Sequence, residues 1–308
     1  MNYNICLIGT KDTTIELAKY LIDNVCMIDC IITIDEQTVD TSNISGFSPI
    51  DEFATKYNIS IFKSKSYSLK DEESKQFFEN NTFGIGICMG WQRLIPPEVL
   101  KIFRSGIFGF HGSCGYLPYG RGRSPLNWSI INGDTRFIMN LFKYDEYADS
   151  PNIYQNRMFE INPFDTIRTL QYKNLLVSFD LVKNLIYDYK NNNIKINKNS
   201  NDFDTVYNKR GPDDGKISFL LKTREIYNLI RGVTKPFPGA FAFLNNSEEK
   251  IIIWKATMFD SIIDLSGYKP GEVVEVFDNM PIIRTIDGSI IINDYESKKK
   301  LTKKDVLH

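Results

Sequence analysis

The chain is poor in histidine: its 308 residues include only His111 and the terminal His308. Imidazole is the side chain whose ordinary titration falls nearest neutral pH, so proton transfer that needs one depends on His111 alone. Five cysteines (Cys6, Cys26, Cys30, Cys88, Cys114) are an odd number, and no pair has the C-x-x-C spacing. With one internal histidine, that argues against a Cys/His metal site and for reduced thiols in a cytoplasmic protein. No apolar run approaches the roughly 18 residues of a membrane helix. The start, MNYNICLIG, lacks the basic and long apolar regions of a secretion signal. A soluble intracellular protein without a membrane partner is expected. Charge of either sign is not in excess, with 37 Lys and Arg against 38 Asp and Glu, so nothing global calls for nucleic acid. The first turn lacks G-x-G-x-x-G and the chain lacks G-x-x-x-x-G-K-[ST], which disfavours dinucleotide and P-loop chemistry.

What is present is an alternation of patterns. Asn4 to Ile8 is a short apolar run, followed by Gly9-Thr10-Lys11-Asp12 and an amphipathic stretch from Thr13 to Ile22. That predicts strand, turn and helix, with Asp12 or Thr13 as N-cap. Met27 to Ile34 is too continuous for a one-sided surface strand and predicts burial in a parallel sheet. Helices are expected over Pro49 to Tyr57, Leu69 to Glu79 and Pro96 to Phe103, and strands over Ile59 to Phe62, Phe83 to Met89 and Ile107 to Phe110. The alternation predicts an α/β fold with an open, mostly parallel, Rossmann-like sheet. Ligands in such sheets bind beyond the carboxyl ends of strands, making Gly9 to Asp12, Cys88 to Leu94 and His111 to Arg123 the candidate walls.

A strand over Ile153 to Glu160 and a helix over Pro163 to Tyr187 follow. Lys190 to Asp204 is rich in Asn and Lys and reads as a linker, so the first domain is expected over 1–204. Over 205–308 a short helix (Arg224 to Val233) and the turn Pro236-Phe237-Pro238-Gly239 come first. Short strands over Ile251 to Thr257, Glu272 to Phe277, Ile282 to Ile286 and Ser289 to Asp294 then predict a small β-barrel-like, OB-like domain. The basic tail KKKLTKKDVLH is expected to be frayed and solvated.

Alone, His111 at a strand end reads as structural more often than catalytic, and Asp149 reads as a solvated acid or cap. An ordered pattern changes that. H-G-S (His111 to Ser113) leads to L-P (Leu117, Pro118), R-G-R (Arg121 to Arg123), S-P-L-N-W (Ser124 to Trp128) and I-N-G-D-T (Ile131 to Thr135), then an acidic loop closing on Asp149. A second run holds KRGPDDG (Lys209 to Gly215), REIYNLIRGVT (Arg224 to Thr234) and PFPGA (Pro236 to Ala240). Together these resemble the 10-formyltetrahydrofolate-dependent formyltransferases over nearly the whole chain. The second run is similar to the nucleotide-sugar branch, in particular the domain acting on UDP-4-amino-4-deoxy-L-arabinose.

The resemblance implies transfer of a formyl group from 10-formyltetrahydrofolate to the amine of a UDP- or dTDP-linked deoxy sugar destined for surface glycans, with no metal. It implies that His111 stabilises the oxyanion or passes protons, and that Asp149 orients His111 and helps take up the amine proton. It sets the donor against Cys88, Met89, Gly90, Trp91 and Leu94, and against Tyr144, Asp145 and Tyr147 of the acidic loop. Lys11, Arg224, Tyr227, Asn228, Arg231 and Phe237 are the expected sugar-nucleotide contacts. Four of these recur at i, i+3, i+4 and i+7 on one helical face, two arginines suit a diphosphate, and Phe237 can stack on the base. Family members often pair, so a homodimer is implied as well.

The sequence also departs from the family. The asparagine two residues before the histidine is Gly109 here, and losing one oxyanion donor costs roughly 100- to 1000-fold in rate. Asn127, Asn132 and Asn140 are the candidate substitutes. Two extra residues near Cys114-Gly115 lengthen the loop, and the family's Asp-x-Gly becomes Asp149-Ser150-Pro151. Two other readings stand. A methionyl-tRNA formyltransferase needs a basic surface, which the region after Lys216 does not offer outside its tail. An inactive sugar-nucleotide or folate-binding homologue is argued for by Gly109.

Overall fold

The computed structural model describes residues 1–36, 38, 46–146, 152–198, 204–245 and 247–308. The chain divides into two compact units, one of Met1–Arg121, Ile138–Met158 and Asn174–Thr205, the other of Gly122–Phe137, Phe159–Lys173 and Val206–His308. The sequence sets a single divide after residue 204, whereas the structure adds two earlier segments to the later unit.

In the first unit β1 (Asn2–Ile8), β2 (Cys30–Ile34), β3 (Ser60–Ser64), β4 (Thr82–Cys88) and β5 (Phe103–Ser113) run parallel in the order β3-β2-β1-β4-β5. After the two-residue β6 (Arg121–Gly122), β7 (Arg136–Lys143) pairs antiparallel with β5, and β8 (Asn152–Glu160) and β9 (Asn197–Lys198) complete eight strands. Between the strands lie α1 (Asp12–Asn24), α2 (Asp51–Tyr57), α3 (Glu72–Glu79) and α4 (Pro97–Ile102). Every residue of β2 is buried, as its unbroken apolar run requires. Met27 is exposed and outside the strand, because the Asp29 carboxylate takes the amides of Asn4 and Ile5 and ends the ladder there. α3 starts at Glu72 rather than Leu69. Asp71 caps it, accepting from the Ser74 amide at 3.0 Å, and Leu69 has φ +57°, outside helical space. β5 extends three residues beyond expectation because β7 continues the ladder through His111, Gly112 and Ser113.

The second unit contains α5 (Pro125–Ile131), and it shares α6 (Ile167–Lys190) with the first. The two-residue β10 (Val206–Tyr207) precedes α7 (Thr223–Val233) and a five-stranded antiparallel sheet. Its strands are β11 (Ala240–Phe243), β12 (Lys250–Asp260), β13 (Val273–Phe277), β14 (Met280–Arg284) and β15 (Ser289–Glu296), in the order β11-β12-β15-β14-β13. α5 packs on α7: the Asn127 side-chain amide donates to the Gly232 carbonyl at 2.8 Å, and a Cβ at Gly232 would come within 3.0 Å of Ile131. That close approach explains why 122–137 belongs to this unit.

The tail corrects an expectation. Leu301 and Leu307 are 3% and 1% exposed within the core of this unit, and bridges join Leu307 to Leu244 and Val306 to Glu272. Lys298, Lys299, Lys300, Lys303 and Lys304 stay exposed, so the basic composition hides two anchoring leucines. Among the described residues no helix is long and apolar enough to cross a membrane.

Candidate active site

The strand order reverses between β1 and β4, the place where open α/β sheets form a ligand crevice beyond the carboxyl ends of the strands. The chain crossing is tight there, since a Cβ at Gly9 would overlap the Met89 carbonyl oxygen and the Thr14 hydroxyl. Thr14 donates to that carbonyl at 2.6 Å, and Thr10 donates to the Gly90 carbonyl at 3.0 Å. Gly90 has φ +81°, and a Cβ on it would meet the Lys11 side chain at 3.0 Å. Lys11, Cys88, Met89, Gly90 and Trp91 therefore share one wall. Trp91 packs edge-on against Tyr67 at 4.6 Å, and its Nε1 is buried with no hydrogen-bond partner among the described residues. Leu94, in the same turn, is 65% exposed.

β5 carries Gly109 and His111, which are two residues apart and so share a face. β7 sets Phe142 opposite Gly109 and Asn140 opposite His111, and the Tyr144 amide donates to Ile107 at 2.8 Å. His111 is 8% exposed, with Nε2 2.7 Å from the Gly120 carbonyl oxygen. A carbonyl only accepts, so the neutral imidazole keeps its proton on Nε2 and Nδ1 is the basic nitrogen. Gly120 is fixed in turn by its amide to the Thr205 hydroxyl at 2.8 Å, and the Ser113 hydroxyl donates to Tyr119 at 2.9 Å. The lengthened loop thus folds back onto the histidine.

Of the three asparagines considered as substitutes, Asn140 lies beside His111 within the first unit. Its amide nitrogen donates to the His111 carbonyl at 3.2 Å, and its Oδ1 is buried without a hydrogen-bond partner among the described residues. Asn127 is committed to Gly232, and Asn132 is the exposed C-cap of α5. The room above Gly109 is filled by Tyr144: a Cβ there would overlap its hydroxyl oxygen and Cζ. No sequence pattern signals this, because the two residues are brought together only by the β5–β7 pairing.

Cys88 aligns with Gly109 in the parallel ladder. Burial pushes its thiol up to about 12, against a hydrogen bond from Tyr144 that lowers it. Burial, with the Asp29 charge, likewise pushes Cys30 up to about 12, and Cys6 is raised by burial too. These three thiols are expected to resist a thiol-specific chromogenic reagent in the native protein at neutral pH and to react once it is unfolded. Fast native labelling of Cys88 would contradict the burial described.

Asp145 accepts from the Asn152 side-chain amide at 2.8 Å. Tyr147 and Asp149 lie outside the described residues. In the second unit Arg224 is exposed, while Tyr227 is half-buried and donates to the Pro163 carbonyl at 2.7 Å. Arg231 is 6% exposed: Nε donates to Asn228 at 2.9 Å, and a terminal nitrogen to the carbonyls of Asn162 at 3.0 Å and Asp165 at 2.7 Å. The polar helical face is therefore present but otherwise employed. Asn228, Arg231 and Tyr227 tie α7 to the 162–165 segment, and of the two arginines expected at a diphosphate Arg224 is the exposed one. Phe237 lines a cleft of about 120 Å³ with Asn127, Arg210, Pro212 and Pro238.

Residues 8–177 match the Formyl transferase family, and residues 210–308 match the Formyl transferase C-terminal domain. The chain belongs to the formyltransferase family. This formyltransferase is 30% identical over 277 residues to the methionyl-tRNA formyltransferase of Fusobacterium nucleatum, covering 88% of this chain and 86% of that protein. It is 31% identical over 229 residues to the bifunctional polymyxin resistance protein ArnA of Wigglesworthia glossinidia brevipalpis, covering 74% of this chain but only 33% of that longer protein. The N-formyltransferase of Helicobacter canadensis, solved with folinic acid and dTDP-3-aminofucose, shares the fold with a TM-score of 0.66 at 21% identity, over 94% of this chain and 98% of that one. The formyltransferase is thus a formyl-transfer enzyme whose donor substrate is 10-formyltetrahydrofolate. The β1/β4 wall fits a flat, amide-bearing heterocycle: it combines close backbone at Gly90, the buried Trp91 Nε1 and the exposed apolar Leu94.

Proposed function

We propose that this formyltransferase is a cytoplasmic enzyme that formylates the amine of a nucleotide-linked deoxy sugar, UDP before dTDP, for a surface glycan. The observation that carries the reading is charge. Residues 217–296 hold eight Lys and Arg against eleven Asp and Glu, so this part of the C-terminal domain has no cationic surplus for a tRNA backbone. The likeness of KRGPDDG and REIYNLIRGVT to the nucleotide-sugar branch supports it, as does the Helicobacter canadensis enzyme solved with a dTDP-linked amino sugar. The identity to a methionyl-tRNA formyltransferase favours the second reading, in which the acceptor is a charged tRNA.

In the proposed reaction the sugar amine attacks the formyl carbon beside β5, and His111 Nδ1 accepts the proton that the amine must lose. Asp149 is retained as the carboxylate that helps take up that proton. Lys11, Arg224 and Phe237 are retained as the sugar-nucleotide contacts. Calorimetry with UDP and dTDP, run beside a mobility-shift titration with methionyl-tRNA at two salt concentrations, separates the readings. Uptake of a nucleoside diphosphate with no salt-sensitive tRNA complex is expected. A salt-sensitive tRNA complex without nucleotide uptake would favour the second reading.

A further inference from the structure

We propose that Tyr144 is a catalytic hydrogen-bond donor to the formyl oxygen, its phenol occupying the space that Gly109 leaves on the face of β5 beside His111. This rests on formyl transfer, which the family establishes, and not on the identity of the acceptor.

Developing negative charge on the formyl oxygen needs fixed donors at the reacting centre. His111 does not offer Nε2–H, which is engaged with the Gly120 carbonyl at 2.7 Å. Asn140 does not offer its amide, which is turned to the His111 carbonyl at 3.2 Å. Ser113, on the same face, gives its hydroxyl to the Tyr119 carbonyl at 2.9 Å, and Tyr144 brings a further hydroxyl to it. Residues 140, 142 and 144 follow the alternation that sets them on the side of Gly109 and His111.

Tyr144 is also held in place. Its amide is bonded to Ile107, its ring lies 5.2 Å from that of Phe142, and it packs against the core cluster containing Cys88 and Ile107. Glycine at 109 is a steric requirement of that placement, since any Cβ there overlaps the phenol. The hydroxyl also hydrogen-bonds the Cys88 thiol, and neutral sulfur is a weak acceptor that a developing oxyanion readily displaces. Gly109 and His111 stand roughly 6.6 Å apart along the strand, which leaves room for a one-carbon group between phenol and imidazole.

The chemistry balances. The amine nitrogen bonds to the formyl carbon, and the carbonyl π pair moves onto oxygen, where the phenol hydrogen-bonds it without losing its proton. The oxygen pair then re-forms the carbonyl as the carbon–nitrogen bond to the folate breaks with its electron pair going to that nitrogen, and His111 passes to the nitrogen the proton it took from the amine.

Tyr144→Phe keeps the ring and removes the hydroxyl. With either acceptor, amino sugar or methionyl-tRNA, kcat is expected to fall roughly 100-fold while the donor KM and the melting temperature hold. A donor-only readout makes the test independent of the acceptor. Infrared spectra of 10-formyltetrahydrofolate, isotopically labelled at the formyl carbon and bound without acceptor, are expected to show the carbonyl stretch at lower frequency in wild type than in Tyr144→Phe. The pair Gly109→Asn with Tyr144→Ala is expected to exceed Tyr144→Ala alone in kcat, because a carboxamide then occupies the vacated space. Unchanged carbonyl frequency together with unchanged kcat in Tyr144→Phe would overturn the assignment, as would a loss confined to melting temperature.

Discussion

Replacing His111 with alanine is expected to lower kcat for formyl transfer about 1000-fold, within the span of a lost general base. The size follows from scarcity: no other internal residue can supply an imidazole, and Nδ1 is the proposed proton acceptor while Nε2 holds the Gly120 carbonyl at 2.7 Å. Because that bond also holds the loop, alanine alone mixes structure with catalysis. His111→Gln can restore an N–H to Gly120 without restoring a base of comparable strength. It is expected to melt like the wild type and to remain as slow as the alanine variant in single-turnover transfer. Transfer within about tenfold of wild type in both variants would remove His111 from proton transfer.

Arg231→Ala is expected to act on stability, at about 3 kcal/mol. It strands the Asn228 oxygen and two backbone carbonyls that the guanidinium now satisfies, in a setting where removing a buried charged donor is costly. For a chain of this size that is roughly a 5 °C drop in the unfolding midpoint. Lysine does not rescue it, because one ammonium cannot reproduce the fork that reaches Asn228, Asn162 and Asp165 together. Arg224→Ala is expected to leave the midpoint in place and to weaken nucleotide binding, since Arg224 is exposed. An Arg231→Ala protein that melted like wild type but lost UDP binding would return this residue to the substrate site.

Those two arginines show how far sequence periodicity reaches. Spacing at i, i+3, i+4 and i+7 correctly gathers Arg224, Tyr227, Asn228 and Arg231 on one face. Whether such a face meets solvent or another segment depends on residues some 60 positions away, at Asn162 to Asp165. The parallel sheet was legible because β2 and β4 are unbroken apolar runs, which only burial on both faces explains. The C-terminal tail was not, because five exposed lysines outweigh Leu301 and Leu307 in any local average. β11 was missed as a four-residue strand with no alternation. His111 could be found from scarcity and motif, whereas the Tyr144 phenol above Gly109 is a product of antiparallel register that neither residue announces.

The most direct measurement is mass spectrometry of the acceptor after incubation with 10-formyltetrahydrofolate and the purified protein. The acceptors are UDP- and dTDP-linked 4-amino and 3-amino deoxy sugars, with methionyl-tRNA in parallel. The expected result is one sugar heavier by one carbon and one oxygen, no formylated methionine, and loss of that product in His111→Ala. Formylmethionyl-tRNA as the only product would contradict the sugar reading, and donor binding with no formylated acceptor of either kind would contradict the assignment of this site to catalysis.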